Sequence, residues 1–281
     1  MRKSRLEFSL IVCTLGRSIE IEELFESLEN QKFKDFEVIL IDQNEKNLLE
    51  DIVAKSQMKI KIKHIKSKEK GLSKARNRGI KVASGNYIAF PDDDCQYNSD
   101  TLLKIFNMFQ NTNYDFITCN TKEKDSNNAL VSLPNTKKIM QHNFYKIYGV
   151  SFTLFFNKKV ISKVGEFDET LGVGSGTIFG AGEETDYLIR VVKNNYNGLY
   201  IPNIYVYHPA KELIYNQATF KRALMYGGGM GRVVKKHFNF LRTSRAIIAP
   251  LIKSILSISN INKAKFYFIN FIGTLRGYYK S

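Results

Sequence analysis

Within the first ninety residues, short apolar runs alternate with stretches whose apolar residues recur every three or four positions, and that alternation leaves few folds open. Phe8 to Thr14 reads as a buried strand, and Ile19 to Gln31 carries Ile21, Leu24, Phe25 and Leu28 on one helical stripe. Phe36 to Asp42 reads as a second strand. A helix around Asn47 to Lys55, a charged strand from Lys59 to Ile65, a helix from Leu72 to Ala83 and a strand from Tyr87 to Phe90 come next. This βαβαβαβ order predicts an α/β fold with a mostly parallel sheet and right-handed crossovers. Such a sheet collects the carboxyl ends of its strands on one edge, where ligands bind. Thr14, Asp42 and the residues just beyond Phe90 are therefore expected to meet there.

Directly after Phe90 stand Pro91 and then Asp92, Asp93 and Asp94. Proline ends the strand's hydrogen-bond ladder, so three like charges arrive at the ligand edge together. Standing alone, such a run is more often a solvated acidic turn, here one capping the helix that begins near Ser99, than a metal site. At the end of a parallel strand, the same run needs a cation. Oxygen ligands of this kind suit Mg²⁺ or Mn²⁺ that substrate phosphates also hold. Asp93 is expected to face away from its two neighbours, because successive strand residues point to opposite sides.

Beyond this region the pattern weakens. A helix from Thr101 to Phe109 and a strand from Tyr114 to Thr118 are expected, then a polar, aperiodic stretch from Lys122 to Asn143 read as a loop or irregular insertion. The run GVGSGTIFGAG, with Gly172, Gly174, Gly176, Gly180 and Gly182, suits either a loop that closes over a substrate or an ordinary surface loop. It leads into EETDYLIRVVKNN. Acidic first turns commonly complement the helix dipole. Helical spacing separates these acids, however: Glu183, Asp186 and Arg190 share one stripe, with Asp186 and Arg190 four apart, while Glu184 heads the apolar stripe of Leu188 and Val191.

Charge is informative once located. The chain has 281 residues, is 43% hydrophobic and carries a net charge of +15. Residues 1–210 hold 29 Lys and Arg against 26 acids, whereas 211–281 hold 13 against one, Glu212. The reading is a domain over 1–210 and a basic helical extension over 211–281. The excess points to a polyanionic partner: nucleic acid, an anionic bilayer or a pyrophosphate-bearing substrate. Three scattered cysteines argue against disulfides and zinc and for a reducing cytoplasm. The start MRKSRLEFSLIVCTLG imitates a signal peptide, but its apolar stretch is short and lacks a cleavage site. No apolar run reaches the length of a spanning helix.

GLSKARNRGIKVASGNYIAFPDDD, FSLIVCTLGR, VILIDQN and GAGEETDYLIR are blocks like those of family-2 glycosyltransferases, which the chain resembles over roughly residues 8 to 208. Leu15-Gly16 departs from the aromatic residue and Asn common at that turn. The resemblance implies a Rossmann-like nucleotide-sugar-binding domain of the glycosyltransferase-A type with the helical extension appended. It implies a metal-dependent, inverting transfer of a hexosyl or deoxyhexosyl group from a nucleotide-diphosphate sugar to a hydroxyl of a glycan in bacterial surface-polysaccharide assembly.

Site roles come from the same resemblance. Asp92, Asp94 and His208, in VYHP, would hold the metal. Asp42 would accept a hydrogen bond from the base, with Thr14 beside it, and Arg17, Arg76, Asn77, Asp92 and Asp93 would bind the donor. Arg78 and Lys81 are read as a solvated face. Glu184 would be the base that accepts the hydroxyl proton, Glu183 would orient the acceptor, and Asp186 and Arg190 would support it. Burial raises a carboxylate's pKa and a helix N-terminus lowers it, so the two effects on Glu184 oppose.

The extension reads as helices at Gln217 to Met225, in GRVVKKHFNFL, around Ile247 to Ile258 with Pro250 starting or kinking it, and at Lys263 to Ile272. Its cations interleave with aromatic residues. That composition suits a helix in the headgroup layer on the cytoplasmic face of the membrane, near a lipid-pyrophosphate-linked acceptor, and equally a helical extension packed on the catalytic domain. Two other classes stay open. One is a nucleotide-binding protein with a nucleic-acid-binding tail, although no nucleic-acid motif is present; the other is a glycoside hydrolase using paired acids. Oligomeric state leaves no mark in the sequence.

Overall fold

The computed structural model describes residues 6–124, 126, 128, 130–131, 133–141, 147–210 and 213–280. The chain gathers into two compact units. The first comprises Met1–Glu69, Ala75–Glu166 and Leu188–Ala210; the second comprises Lys70–Lys74, Phe167–Tyr187 and Lys211–Ser281. The second unit thus takes in two segments besides the basic extension, whose first two residues, 211 and 212, lie outside the described ones.

The first unit is built on a mixed sheet. Strands β1 (Phe8–Thr14), β2 (Phe36–Asp42), β3 (Lys61–Lys66) and β4 (Tyr87–Ala89) pair in parallel in the order β3-β2-β1-β4. The helices between them are α1 (Ile19–Glu29), α2 (Glu50–Gln57) and α3 (Leu72–Val82). The sheet continues through β8 (Leu154–Asn157), antiparallel to both β4 and β6 (Phe116–Lys122), and then through β9 (Gly198–Tyr207), parallel to β6. Two short strands, β5 (Gln96–Tyr97) and β7 (Lys138–Met140), pair antiparallel with β9. Helices α4 (Thr101–Asn111) and α5 (Lys158–Val164) lie in the same unit, α6 (Glu183–Lys193) begins in the second unit and ends in the first, and a 3-10 turn spans Ser151–Thr153.

All seven residues of β2 are buried, as expected of a parallel central strand. Ile21, Leu24, Phe25 and Leu28 of α1 have no exposed surface, and each contributes roughly 2 kcal/mol by leaving water. The order 3-2-1-4 puts β1 between strands whose crossovers run in opposite directions, which makes the carboxyl ends of β1 and β4 the switch point.

The stretch from Lys122 to Asn143 is not wholly irregular: β6 runs to Lys122, and Lys138–Met140 pairs with β9. Three residues are too few to show alternation, so β7 left no periodic signal. Positions 125, 127, 129, 132, 142 and 143 of that stretch lie outside the described residues.

In the second unit, α7 (Gln217–His237) is one helix where the sequence suggested two. Gly227, Gly228, Gly229 and Gly231 do not break it, because helix α9 (Ile261–Tyr279) packs there backbone to backbone. A Cβ at Gly227 would stand 2.2 Å from the Asn270 carbonyl oxygen, and one at Gly277 would stand 2.0 Å from that of Gly228. Glycine disfavours a helix by about 1 kcal/mol, and close packing outweighs it. Helix α8 (Phe240–Leu256) starts well before Pro250, which sits inside it. Asn216, Asn239 and Asn260 cap the three helices by accepting from the backbone N–H groups of Thr219, Arg242 and Lys263.

Candidate active site

The carboxyl ends of β1, β2 and β4 bring the predicted residues of the first unit together. Thr14 is the register partner of Asp42, and Cys13 forms a parallel bridge with Asp92 just beyond β4. His208 comes after the last residue of β9 and donates its backbone N–H to the Lys122 carbonyl at 3.0 Å, which fixes it at the same edge. One ligand atom from each of Asp92, Asp94 and His208 lies within 4.8 Å of the others.

Each of these side chains is held from behind. Asp94 receives His208 Nε2 at 3.0 Å and Arg17 Nη1 at 2.5 Å. The other ring nitrogen of His208, Nδ1, lies 2.8 Å from the Pro209 carbonyl, and the ring stacks on Phe152 at 4.8 Å. Asp92 accepts from Arg76 Nη2 at 3.3 Å and from the Ser151 hydroxyl at 3.2 Å. Arg76 itself is almost wholly buried and lies over the Phe90 ring. Against expectation, Asp93 does not face away from Asp94: Arg17 Nη1 lies 2.5 Å from both carboxylates, because beyond Pro91 the chain turns and strand alternation no longer applies. Asn77 is buried, while Arg78 is exposed and Lys81 pairs with Glu166 at 3.0 Å.

Burial and neighbouring charges set the electrostatics of the cluster. Burial pushes the Asp92 carboxyl above its usual range, against the pull of Arg76 and His208. Burial raises Asp93 as well, opposed by the Thr14 hydroxyl and Arg17. Burial also opposes protonation of His208, but the hydrogen bond and charge of Asp94 outweigh it, and its pKa rises. Like charges crowded at one strand end, with burial working against their ionisation, favour a bound cation. Two carboxylate oxygens and an imidazole nitrogen at this spacing fit a divalent cation that accepts mixed oxygen and nitrogen donors, with room for phosphate oxygens. Beside them lies a cavity of about 480 Å³ lined by Asp94, Gln96, Tyr207, His208, Lys124 and three glutamates, Glu20, Glu23 and Glu123.

Asp42 is fully buried and fully engaged. One oxygen accepts from the Asn44 backbone and side chain at 2.9 and 2.8 Å; the other meets His64 Nε2 at 2.9 Å and Lys66 Nζ at 3.0 Å. Burial opposes ionisation, yet these partners bring its pKa below the usual value. Asn44 also accepts the Gly16 N–H at 2.6 Å, which ties the departing turn Leu15-Gly16 to this carboxylate.

The acids of α6 belong to the second unit. Glu183 is buried, and its carboxylate borders Gly172, where a Cβ would stand 3.1 Å from Oε2 at a backbone φ of 98°. Glu184 is half-buried. Asp186 has no exposed surface and meets Lys236 Nζ at 2.6 Å and His237 Nε2 at 2.8 Å, both from α7. Arg190, in the first unit, donates to the Val164 and Glu166 carbonyls at 3.1 and 2.8 Å.

The glycine-rich run is packed at its two ends, Gly172 and residues 179–182, and exposed at Val173, Gly174 and Gly176. Gly172 N–H donates to the Phe179 carbonyl, Gly180 N–H donates to that of Met225, and a Cβ at Gly228 would stand 2.2 Å from the Ile178 carbonyl oxygen.

Sequence reasoning missed Ser151, Phe152, His64, Lys66, Lys236 and His237. The 3-10 turn is too short for any period. Lys66 and His64 sit in a charged strand whose end, opposite Asp42, was the available signal.

Comparison with known proteins agrees with this geometry. The sequence profile described as Glycosyl transferase family 2 matches residues 9–165, more than half of the chain. Over 99 residues the chain is 32% identical to the GalNAc(5)-diNAcBac-PP-undecaprenol beta-1,3-glucosyltransferase of Campylobacter jejuni, covering 34% of this chain and 32% of that one. It spans between 32% and 62% of the length of that relative and two other curated ones. Among solved structures, residues 1–349 of Staphylococcus aureus TarS in complex with UDP-GlcNAc superpose with a TM-score of 0.63 at 17% identity, covering 98% of this chain and 92% of that one. The Pyrobaculum calidifontis mannosyltransferase PcManGT, in complex with GDP-Man and Mn²⁺, gives 0.68 at 12% identity, covering 97% and 88%. The likeness of these structures is one of fold, the glycosyltransferase-A type. With its strand-end aspartates at the sheet's switch point and the family profile running through them, the chain belongs to glycosyl transferase family 2.

Proposed function

We propose that the chain transfers a hexosyl or deoxyhexosyl group, with inversion, from a nucleotide-diphosphate donor to a hydroxyl of a lipid-pyrophosphate-linked glycan in bacterial polysaccharide assembly, working at the inner face of the cell membrane. The observation that carries this reading is the set of ligand atoms from Asp92, Asp94 and His208 at the ligand edge that also holds Asp42. A Mg²⁺ or Mn²⁺ ion bound there would offset the charge that gathers on the departing diphosphate.

The protein's own groups do the rest. Arg17, shared between Asp93 and Asp94, is the cation at the cluster that can turn toward donor phosphates without leaving it. Arg76 and Ser151 hold Asp92 in place, and Asn77 contributes to the donor side. Asp42 recognises the base, with Thr14 at its flank; both its oxygens have partners, so the base takes over a hydrogen bond that Asn44 or His64 now makes. Half-buried Glu184 accepts the proton of the attacking hydroxyl, Glu183 orients the acceptor, and buried Asp186 supports the helix start. Arg190 anchors the same helix to the backbone after α5.

A ligand bound only by the folded state raises its melting point, so UDP-, dTDP- and GDP-sugars can be screened with Mn²⁺ by thermal unfolding. One nucleotide class is expected to stabilise the wild type and to lose that effect in Asp42→Ala. Stabilisation by none of them would overturn the reading.

A further inference from the structure

Helix α8 shows a largely apolar stripe to solvent. Leu241, Arg245, Ile248, Ile252 and Ile255 succeed one another at intervals of four and three, so they form one stripe, and all of them are exposed. Leu256, 79% exposed, flanks the stripe's end; Phe240, 87% exposed, starts it; Ile258 and Ile261 extend it into the turn before α9. The face turned inward carries Thr243, Ile247, Leu251 and Ser254; Thr243 and Ser254 are buried, Ile247 and Leu251 are half-buried, and the Ser254 hydroxyl donates to the Ala264 carbonyl of α9 at 2.8 Å. A helix that packs one face and still shows isoleucines to solvent along the other has an apolar surface that something covers.

Charge selects what covers it. Residues 211–281 hold 13 Lys and Arg against a single acid, and exposed Arg242, Arg245 and Lys253 lie on or beside the stripe. Pairing two copies through this face would bring two such tails together, and like charges oppose that. An anionic bilayer satisfies both features: its acyl boundary takes the isoleucines and its phosphates take the cations. Among the described residues no helix is long and apolar enough to cross a membrane, so α8 would lie in the headgroup plane.

We propose that the outward stripe of α8, with Phe240 and the α8–α9 turn, is the surface by which this chain enters an anionic lipid bilayer. This rests on the membrane location proposed above and names the element responsible for it.

The test is flotation of the full chain with phosphatidylcholine vesicles, with and without phosphatidylglycerol. Wild type is expected to float with the anionic vesicles, and the double variant Ile252→Glu/Ile255→Glu to bind them roughly tenfold or more weakly, because each glutamate replaces a buried apolar group with a charge of the lipid's own sign. The variant should keep its donor-induced rise in melting point, which separates loss of lipid contact from loss of fold. Should it unfold, Ile248→Ser/Leu256→Ser makes the same test with less charge.

Variants that float like the wild type would overturn the assignment to α8 and leave the membrane location standing. Wild type that never floats would overturn both, while donor stabilisation would still report on the transferase reading. Equal binding to neutral vesicles would overturn the anionic requirement. A wild-type dimer that the double variant converts to monomer would show that a second copy covers the stripe, and would overturn the proposal too.

Discussion

Glu37 shows how a single charge can be held inside a parallel strand. Its side chain is fully buried in β2, one oxygen accepts from the Ser9 and Ser84 hydroxyls at 2.7 and 2.6 Å and from the Ser84 N–H at 2.8 Å, and Lys63 lies 2.8 Å from the other. Burial raises its pKa, but these partners outweigh burial and bring it down to about 2. A carboxyl depressed in the folded state stabilises the protein above its unfolded pKa, and this stabilisation is lost as pH falls through the folded value. Stability should therefore decline between about pH 4.5 and 2. Glu37→Gln should remove that part of the acid sensitivity and cost about 2 kcal/mol at neutral pH, read by urea unfolding. Asp42 differs in place: both its oxygens are likewise engaged, but it stands at the ligand edge of the sheet.

Helix α1 and the pair α7–α9 illustrate two ways an element is fixed. In α1 four apolar side chains fill the space over the sheet, so Leu24→Ala should cost about 3 kcal/mol in chemical denaturation. In α7–α9 the absence of side chains is what matters. Gly277→Ala would push a methyl group into the Gly228 carbonyl and should cost about 3 kcal/mol, read by the same method.

These two cases also separate what sequence could and could not reveal. The stripe of α1, the limits of β1 and β2 and the strand ending in aspartates come from periodicity, and the ligand edge comes from their order. The glycines of α7 looked like a break because propensity is local and their packing partner lies some forty residues away. Ser151, on a three-residue turn, and Lys236 and His237, on a helix read only as a basic face, owe their positions to contacts distant in sequence. The turn Leu15-Gly16 left no periodic signal, and its tie to the ligand edge, the Gly16 N–H donating to Asn44, is visible only in the structure.

At the scale of the molecule, charge is unevenly divided. Residues 1–210 are nearly balanced and hold the aspartate cluster, whereas the extension carries most of the net +15. Exposed charges are screened within roughly 10 Å at 0.1 M salt, so vesicle binding through the extension should weaken steeply as salt rises, in flotation at increasing NaCl. Donor binding at the partly buried Asp92–Asp94–His208 cluster should change far less.

The direct test of the account is titration calorimetry of the full chain with UDP-, dTDP- and GDP-sugars in Mn²⁺, comparing wild type with Asp94→Ala. The account predicts heat with at least one donor for the wild type, its disappearance when the metal is chelated, and none for Asp94→Ala. Undiminished heat and full transfer by Asp94→Ala would contradict it.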